Sequence, residues 1–165
     1  MNKFAIILGE PNSINSEILA KSVAKKYPCV VVGSYNLIRA QLKILKIRLK
    51  IKKVEFNQKQ IKKGLNILDV PIKFKSPFKV NPIASKIYLK KCFDITHKLS
   101  LEGKIKGFIN CPIDKKKFFN EKSGGITEYL AKKNNIYQNE VMLIYNKKCS
   151  VAPLTTHIKL KNVSK

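Results

Sequence analysis

Four short polar segments carry the residue types from which an active site could be built. They are residues 9–16, 110–114, 125–128 and 155–157. Each follows an apolar run or a glycine turn, so each is placed where a strand would end. In open α/β sheets, ligands bind at the carboxyl ends of the strands. The four segments therefore predict a binding site at that edge of a sheet.

His157 is the sharpest candidate in these segments. Neutral imidazole is a common ligand for a divalent metal and a common general base. The chain has two histidines, His97 and His157, so it cannot complete a catalytic metal site from histidines alone. On the pattern by itself, a structural, hydrogen-bonded histidine is the more frequent interpretation.

Thr127 and Glu128 begin a predicted helix behind Gly124 and Gly125. Backbone N–H groups at a helix start, together with the Thr127 hydroxyl, could bind a phosphate group. The alternative is an ordinary helix cap with an acidic first turn. Residues 9–17 contain neither a P-loop nor a G-x-G-x-x-G fingerprint, so a strand-to-helix turn explains them. The lysine run at 115–117 indicates a solvated helix face.

Strands and helices alternate along the chain and must position these segments. The apolar runs at 4–8, 29–32, 47–52, 65–70 and 107–110 predict strands. Helices are predicted over 16–27, 35–45, 82–102 and 127–133, and two adjacent strands over 140–145 and 149–156. This alternation favours an α/β three-layer sandwich with a mostly parallel sheet.

The helix that begins after Asn81 has the strongest pattern. Asn81 is a preferred N-cap, and Pro82 suits the first helical position. His97 lies off the predicted buried stripe and is expected to face solvent, without a functional role. The stripe consists of Ala84, Ile87, Tyr88, Cys92, Ile95 and Leu99.

The composition bears on partners. The chain has 165 residues, 44% of them hydrophobic, which is enough for a core, and a formal charge of +24. Such charge raises the alternative of a basic nucleic-acid-binding module. However, only Arg39 and Arg48 of the 34 basic residues are arginines, and arginine is the residue preferred for phosphate and base contacts. The lysine excess is explained by compositional bias and argues against nucleic acid.

Cysteine spacing and hydropathy exclude other classes. The four cysteines form no C-x-x-C pair, so we expect buried, reduced thiols rather than a zinc site or a disulfide scaffold. No apolar run approaches the ~20 residues that span a bilayer. The first apolar run is too short for a signal peptide. We therefore expect a cytoplasmic protein that binds no membrane.

Taken in order, the four segments resemble those of the 4-hydroxythreonine-4-phosphate dehydrogenase family. Residues 9–17 (GEPNSINSE) resemble its first loop, and residues 110–115 (NCPIDK) resemble its small-Pro-Ile/Val-x-Lys loop. Residues 125–131 (GITEYLA) are similar to its Gly-His-Thr-Glu motif. Residues 155–163 (TTHIKLKNV) match its Thr-Thr-His-x-Pro-Leu-x-x-Val motif. The resemblance covers essentially the whole chain.

The resemblance implies a function in pyridoxal phosphate (vitamin B6, pyridoxine) biosynthesis. The family oxidises 4-phosphooxy-L-threonine with NAD at its secondary alcohol, and the product loses CO2. Its members resemble isocitrate and isopropylmalate dehydrogenases in fold. They work as homodimers with a divalent metal (Zn, Mg, Co or Mn) in the cleft. The substrate partner is thus a phosphorylated hydroxy-amino acid.

Individual positions carry the resemblance further. His157 matches the family's first metal-binding histidine, and Thr127 matches a substrate-contacting threonine. Ile126 stands where the family has a substrate-binding histidine, and Ser13 and Asn15 replace glycines of the first loop. The Ile126 departure raises the alternative of a paralogous dehydrogenase for another phosphorylated hydroxy acid.

Length is the other departure from the family. Its members are roughly twice as long, so residues 1–165 correspond to the N-terminal half of a two-domain dehydrogenase. The resemblance implies that the remaining metal ligands and the NAD-binding segments lie in a C-terminal half absent from this sequence, which could be encoded separately. We expect the chain alone to be inactive, with no catalytic residue of its own. We also expect an unpaired strand edge and marginal stability or aggregation.

Overall fold

A computed structural model describes residues 4–22, 30–55, 64–119, 125–136, 139–155 and 159–163. The chain divides into two compact units, Met1–Phe118 and Phe119–Lys165. The first unit contains a parallel sheet with its helices. In its described residues, the second contains one α-helix, one short 3-10 helix and chain with little regular structure.

The described strands of the first unit are β1 (Phe4–Ile7), β2 (Val30–Gly33), β3 (Ile51–Lys53), β4 (Leu65–Asp69) and β5 (Gly107–Asn110). They form one sheet in the order β3-β4-β2-β1-β5, and every pairing is parallel. In register, Ile6 lies between Val31 and Ile109. The central strands β1 and β2 are short and apolar, and apart from Phe4 their residues are buried, as expected for parallel strands covered on both faces. The strand β4 is also largely buried, although it contains Asn66 and Asp69.

Among the described residues, four helices accompany the sheet: α1 (Asn15–Ser22), α2 (Tyr35–Ile44), α3 (Pro82–Leu101) and α4 (Lys115–Phe119). Side chains of α1 and α2 form one core cluster with Ile6, Leu8 and Val31. Because side chains alternate across a strand, the neighbouring positions of β1 and β2 face the opposite side. The helix α3 contacts β1, β2 and β5 and covers that second face. The predicted α/β sandwich with a parallel sheet is confirmed.

The long helix α3 begins as predicted. The Asn81 side chain accepts hydrogen bonds from the N–H groups of Ile83 (2.9 Å) and Ala84 (3.2 Å). Its buried stripe, however, is rotated from the predicted one: Ile87 is exposed, and His97 is half-buried rather than solvated. The sequence pattern overlooked the small polar residues Ser85 and Thr96, which are buried on α3.

Strand lengths also differ from the sequence predictions. The predicted strand at 47–52 is confined to β3, and the segment before it is half-buried without ladder pairing. The two strands predicted in the second unit reduce to one antiparallel bridge, Ile144 with Val151. A two-stranded ribbon is marginal without further strands or a helix packed on it. For the helix predicted over residues 16–27, the part beyond residue 22 lies outside the described residues.

The cysteine prediction is confirmed at two positions. Cys92 and Cys111 are buried free thiols, and burial raises the pKa of Cys92 to about 12 and that of Cys111 to about 11. Cys149 is exposed, so the prediction is wrong there. Cys29 lies outside the described residues. Among the described helices, none combines the length and apolarity that crossing a bilayer needs.

The second unit contains α5 (Ile126–Lys133) and a short 3-10 helix, Leu160–Asn162. The helix α5 confirms the prediction for residues 127–133, beginning one residue earlier. The rings of Phe119 and Tyr129 contact each other at a centroid distance of 5.9 Å, with an angle of 58° between their planes. Along residues 141–145, every side chain is exposed.

Candidate functional site

Two of the four polar segments meet where the adjacent strands β1 and β5 end. The Glu10 N–H donates to the Pro112 carbonyl (3.1 Å), and the Cys111 N–H donates to the Ile7 carbonyl (3.0 Å). Because β1 and β5 run parallel, their carboxyl ends lie at the same edge. The structure thus brings residues 9–16 and 110–114 together at the edge that the sequence predicted.

Asn15 joins the two segments by its side chain. It is 1% exposed, and its Nδ2 donates to the carbonyls of Pro112 (2.8 Å) and Glu10 (3.5 Å). Its Oδ1 has no hydrogen-bond partner among the described residues. Asn15 was noted in the sequence only as a replacement for a family glycine. In the structure, the Asn15 side chain connects the first loop to the segment that contains Pro112.

Gly9 is required at the first turn of the loop. Its φ is +80°, in the left-handed region, and a Cβ there would lie 2.5 Å from Asn15 Nδ2 and 2.6 Å from the Pro112 oxygen. Contacts that short do not occur without displacement of the neighbouring backbone. A glycine therefore permits the close approach of the two segments.

A third segment, residues 71–80, is linked to the first loop by hydrogen bonds of Asn12 and Gln41. Asn12 accepts from the Val80 N–H (2.7 Å) and donates to the Val80 carbonyl (2.9 Å). Gln41 Nε2 donates to the carbonyls of Pro11 (2.7 Å) and Pro77 (2.8 Å). This clamp, formed by Asn12 and Gln41, was not predicted from the sequence. The available indication was Gln41 itself, a polar residue on the buried stripe of α2.

Charged groups give this edge its electrostatics. Partial burial raises the pKa of the Glu10 carboxyl, against the lowering effect of the Asn12 backbone and Lys117. Lys117 pairs with Asp114 at 2.9 Å. That hydrogen bond lowers the pKa of Asp114 and raises the pKa of Lys117. Chemically, the edge offers a carboxyl with increased proton affinity beside an ion pair.

In the second unit, the start of α5 carries Ile126 and Thr127. Its N-cap is Gly125, which supplies no side-chain hydrogen bond to the first turn. The Thr127 side chain is exposed, and Ile126 is half-buried. The interpretation of Thr127 as a side-chain cap is therefore wrong, because Gly125 occupies that position. Helix starts without a side-chain cap leave backbone N–H groups available to water or an anion.

The last predicted segment is described only at its first residue. Thr155 is exposed, whereas Thr156 and His157 lie outside the described residues. Within the described ranges, no group of three or more His, Cys, Asp or Glu side chains could hold a metal ion. These residues alone do not fit a catalytic metal, and we assign no reaction step to one.

Fold and site together define a class. The first unit is an α/β domain built on an open parallel sheet, with polar loops gathered at its carboxyl edge, as in proteins that bind ligands there. The sequence model of the family "Pyridoxal phosphate biosynthetic protein PdxA" matches residues 25–165. The chain belongs to this family.

The curated relatives of this chain carry the name of the same enzyme. The chain is 34% identical to the 4-hydroxythreonine-4-phosphate dehydrogenase of Sulfurihydrogenibium sp. (strain YO3AOP1), over 99% of this chain and 52% of that protein. It is 31% identical to the Aquifex aeolicus (strain VF5) enzyme of the same name, over 98% and 51% respectively. The chain thus spans about half the length of the curated relatives it matches.

The solved structures agree with these relatives. The chain superposes on the crystal structure of 4-hydroxythreonine-4-phosphate dehydrogenase from Klebsiella pneumoniae with a TM-score of 0.85 and 25% identity. The match covers 98% of this chain and 53% of that one. The predicted family and its isocitrate dehydrogenase-like α/β fold are confirmed. Neither the nucleic-acid-binding alternative nor the paralogous dehydrogenase is favoured by these relatives.

Proposed function

We propose that the chain supplies the N-terminal half of an NAD-dependent 4-hydroxythreonine-4-phosphate dehydrogenase in pyridoxal phosphate biosynthesis. The reaction is oxidation of 4-phosphooxy-L-threonine at its secondary alcohol, with loss of CO2. The observation that carries the proposal is the family match over residues 25–165. The polar loops at the carboxyl ends of β1 and β5 support it, since dehydrogenase ligands bind at such edges.

Three residues receive roles in this proposal. His157 is one ligand of a divalent metal whose other ligands lie outside the 165 residues. Thr127 and the first N–H groups of α5 bind the phosphorylated substrate, and the uncapped start of α5 supports this role. Ile126 replaces a polar substrate contact with an apolar one. NAD binds residues outside this chain.

The partners follow from the same proposal. We infer that the active species is cytoplasmic and contains a second half, in one polypeptide or encoded separately, and that two such units form a homodimer. The 165 residues contain two histidines, too few for a metal site with three histidine ligands. The chain alone should therefore show no turnover.

Complementation tests the proposal. The part of the Sulfurihydrogenibium relative that lies beyond the match is supplied either as a fusion or as a separate chain. NADH formation from 4-phosphooxy-L-threonine should require both halves. His157→Ala should abolish it in the fusion, while His97→Ala, which changes the other histidine, should leave it unchanged. Turnover by the 165-residue chain alone, or equal effects of the two substitutions, would overturn the proposal.

The Ile126 position tests the substrate. With both halves present, Ile126→His should increase kcat/KM for 4-phosphooxy-L-threonine by about tenfold, because one charge-assisted contact to the substrate is restored. A panel of phosphorylated hydroxy acids gives the comparison. If the native Ile126 enzyme prefers another member of the panel, the paralogous dehydrogenase replaces our assignment.

A further inference from the structure

A second cleft lies in the first unit, away from the loops at β1 and β5. It has a volume of about 850 Å³ and lies between α2 and the chain that leads into β3. In the strand order, β3 and β5 are the two opposite edges of the sheet. The cleft is therefore separate from the candidate site, and its interpretation does not rest on the proposed function.

Local structure explains why cations surround this cleft. On α2, Asn36, Arg39 and Lys43 recur at spacings of three and four residues, which places them on one face of the helix. On the other wall, Arg48 and Lys50 are exposed and alternate with half-buried apolar residues. Leu42, Ile47 and Leu49 also line the cleft, and because they belong to or pack against the hydrophobic core, they form its apolar floor.

Both arginines of the chain lie in this one place. Of the 26 basic side chains in the described ranges, four line the cleft, and Arg39 and Arg48 are two of those four. If two arginines were placed at random among those 26 positions, both would fall on these four about once in fifty trials. Arginine differs from lysine in its planar fork of donors, which matches phosphate and carboxylate oxygens in pairs.

The positive charge of the cleft is not compensated locally. None of the described residues that line it is acidic. Within the described ranges, the salt bridges of the first unit involve neither Arg39 nor Arg48. The volume falls in the range of ~300–1,000 Å³ typical of small-molecule sites. The cleft thus combines bidentate donors, excess positive charge and an apolar floor.

We propose that this cleft binds an organic polyphosphate, a small molecule with two or more phosphoryl groups and an apolar or planar body. Arg39 and Arg48 hold the phosphoryl oxygens from the two walls, and Lys43 and Lys50 add charge. The apolar body lies on the floor of the cleft. A ligand without phosphoryl groups would leave the arginines unused. A polyphosphate without an apolar or planar body would leave the apolar floor uncovered.

The composition of the chain allows a direct test on the unmodified protein. Phenylglyoxal modifies arginine, and in this chain both targets line the cleft. Millimolar ATP, in physiological salt, should slow the modification of both arginines by about tenfold, followed by intact mass. Tripolyphosphate should protect less than ATP, because it lacks the body, and adenosine should not protect. Absence of protection by ATP would overturn the proposal.

Variants separate the cleft from the general charge of the chain. Arg39→Gln with Arg48→Gln should weaken ATP binding, measured by calorimetry, by about a hundredfold. Lys90→Gln with Lys91→Gln removes the same charge from the exposed face of α3 and should change it less than threefold. Arg39→Lys with Arg48→Lys should retain less than a third of the affinity. Circular dichroism confirms that each variant is folded, and equal weakening by both double Gln variants would refute a specific site.

Discussion

At the residue scale, the geometry of the first loop depends on the absence of a Cβ atom at Gly9. Its positive φ and the contacts below 3 Å that a Cβ would make come from the same approach of two segments. Gly103 has a similar φ of +64°, but a Cβ there would meet no described heavy atom within 4 Å. The two glycines thus separate backbone strain from lack of space.

We predict that Gly9→Ala lowers the free energy of unfolding by about 3 kcal/mol, since it combines left-handed strain with a clash. Gly103→Ala should lower it by about 1 kcal/mol through strain alone. Urea unfolding followed by circular dichroism measures both. Equal losses of unfolding free energy at the two positions would contradict a steric clash between a Cβ at residue 9 and the neighbouring Asn15 and Pro112 atoms.

The carboxyls Glu10 and Asp114 should respond to pH with opposite signs. The folded state raises the pKa of Glu10 above 4.5, so ionised Glu10 opposes folding as pH rises through that raised pKa. The folded state lowers the pKa of Asp114 below 3.8, so its contribution is present above 3.8 and lost as pH falls through the lowered pKa. Glu10→Gln should gain stability relative to the native chain as pH rises, and Asp114→Asn should lose it.

Urea midpoints from pH 3 to pH 7 measure this difference. The two variants serve as each other's control, because both replace a carboxyl with an amide at the same edge. Parallel pH profiles of the two would show that burial of Glu10 does not control its pKa.

The sequence predicted the edge at which the site forms but not the contacts that build it. The polar segments 9–16 and 110–114 were identified because each follows an apolar run. The clamp by Asn12 and Gln41 depends on residues about 30 to 70 positions away, and no local pattern encodes such distances. The roles of Thr127, Ile126 and His157 rest on the family resemblance and remain predictions.

At the element scale, caps and periodicity account for the predicted helices. The start of α3 was predictable because Asn81 and Pro82 act locally, on the first turn that follows them. The rotation of its buried stripe was not predictable from the sequence. Packing against the strands, rather than the apolar pattern of the helix itself, decides which side of α3 is buried. The strands expected over 140–156 failed for a related reason: strand pairing needs a partner, and apolar alternation does not supply one.

We predict that Asn81→Ala lowers the free energy of unfolding by about 1 kcal/mol, because it removes two hydrogen bonds to the first turn of α3. Asn81→Ser retains a cap and should cost less than about 0.5 kcal/mol. Urea unfolding at neutral pH distinguishes the two. A loss from Asn81→Ser as large as that from Asn81→Ala would mean that the amide has another role.

At the scale of the whole molecule, apolar surface is left uncovered in each unit. In the first unit, β5 is an edge strand, and Ile109 on it is 60% exposed. In the second, Val141, Leu143 and Tyr145 are 73%, 60% and 72% exposed. Unpaired edges and apolar runs of this kind are sites of association.

We predict that the 165-residue chain self-associates with increasing concentration, because contact between two copies would remove these exposed apolar side chains from water. Sedimentation velocity over a hundredfold range of concentration measures it. Val141→Lys with Leu143→Lys should reduce association, and Lys147→Gln with Lys148→Gln is the matched control in exposed chain. A native chain that stays monomeric and melts in one cooperative transition would contradict the prediction.

The link between Asn15 and Pro112 also has a kinetic consequence. The two residues are separated by 97 positions, so their contact closes a long loop of chain. Long-range contacts of parallel sheets form slowly, since the entropy of closing a long loop is lost before any bond rewards it. The turn at Gly9 therefore acquires its final shape only when β5 joins β1. The loop nearest the start of the chain is then among the last parts to mature.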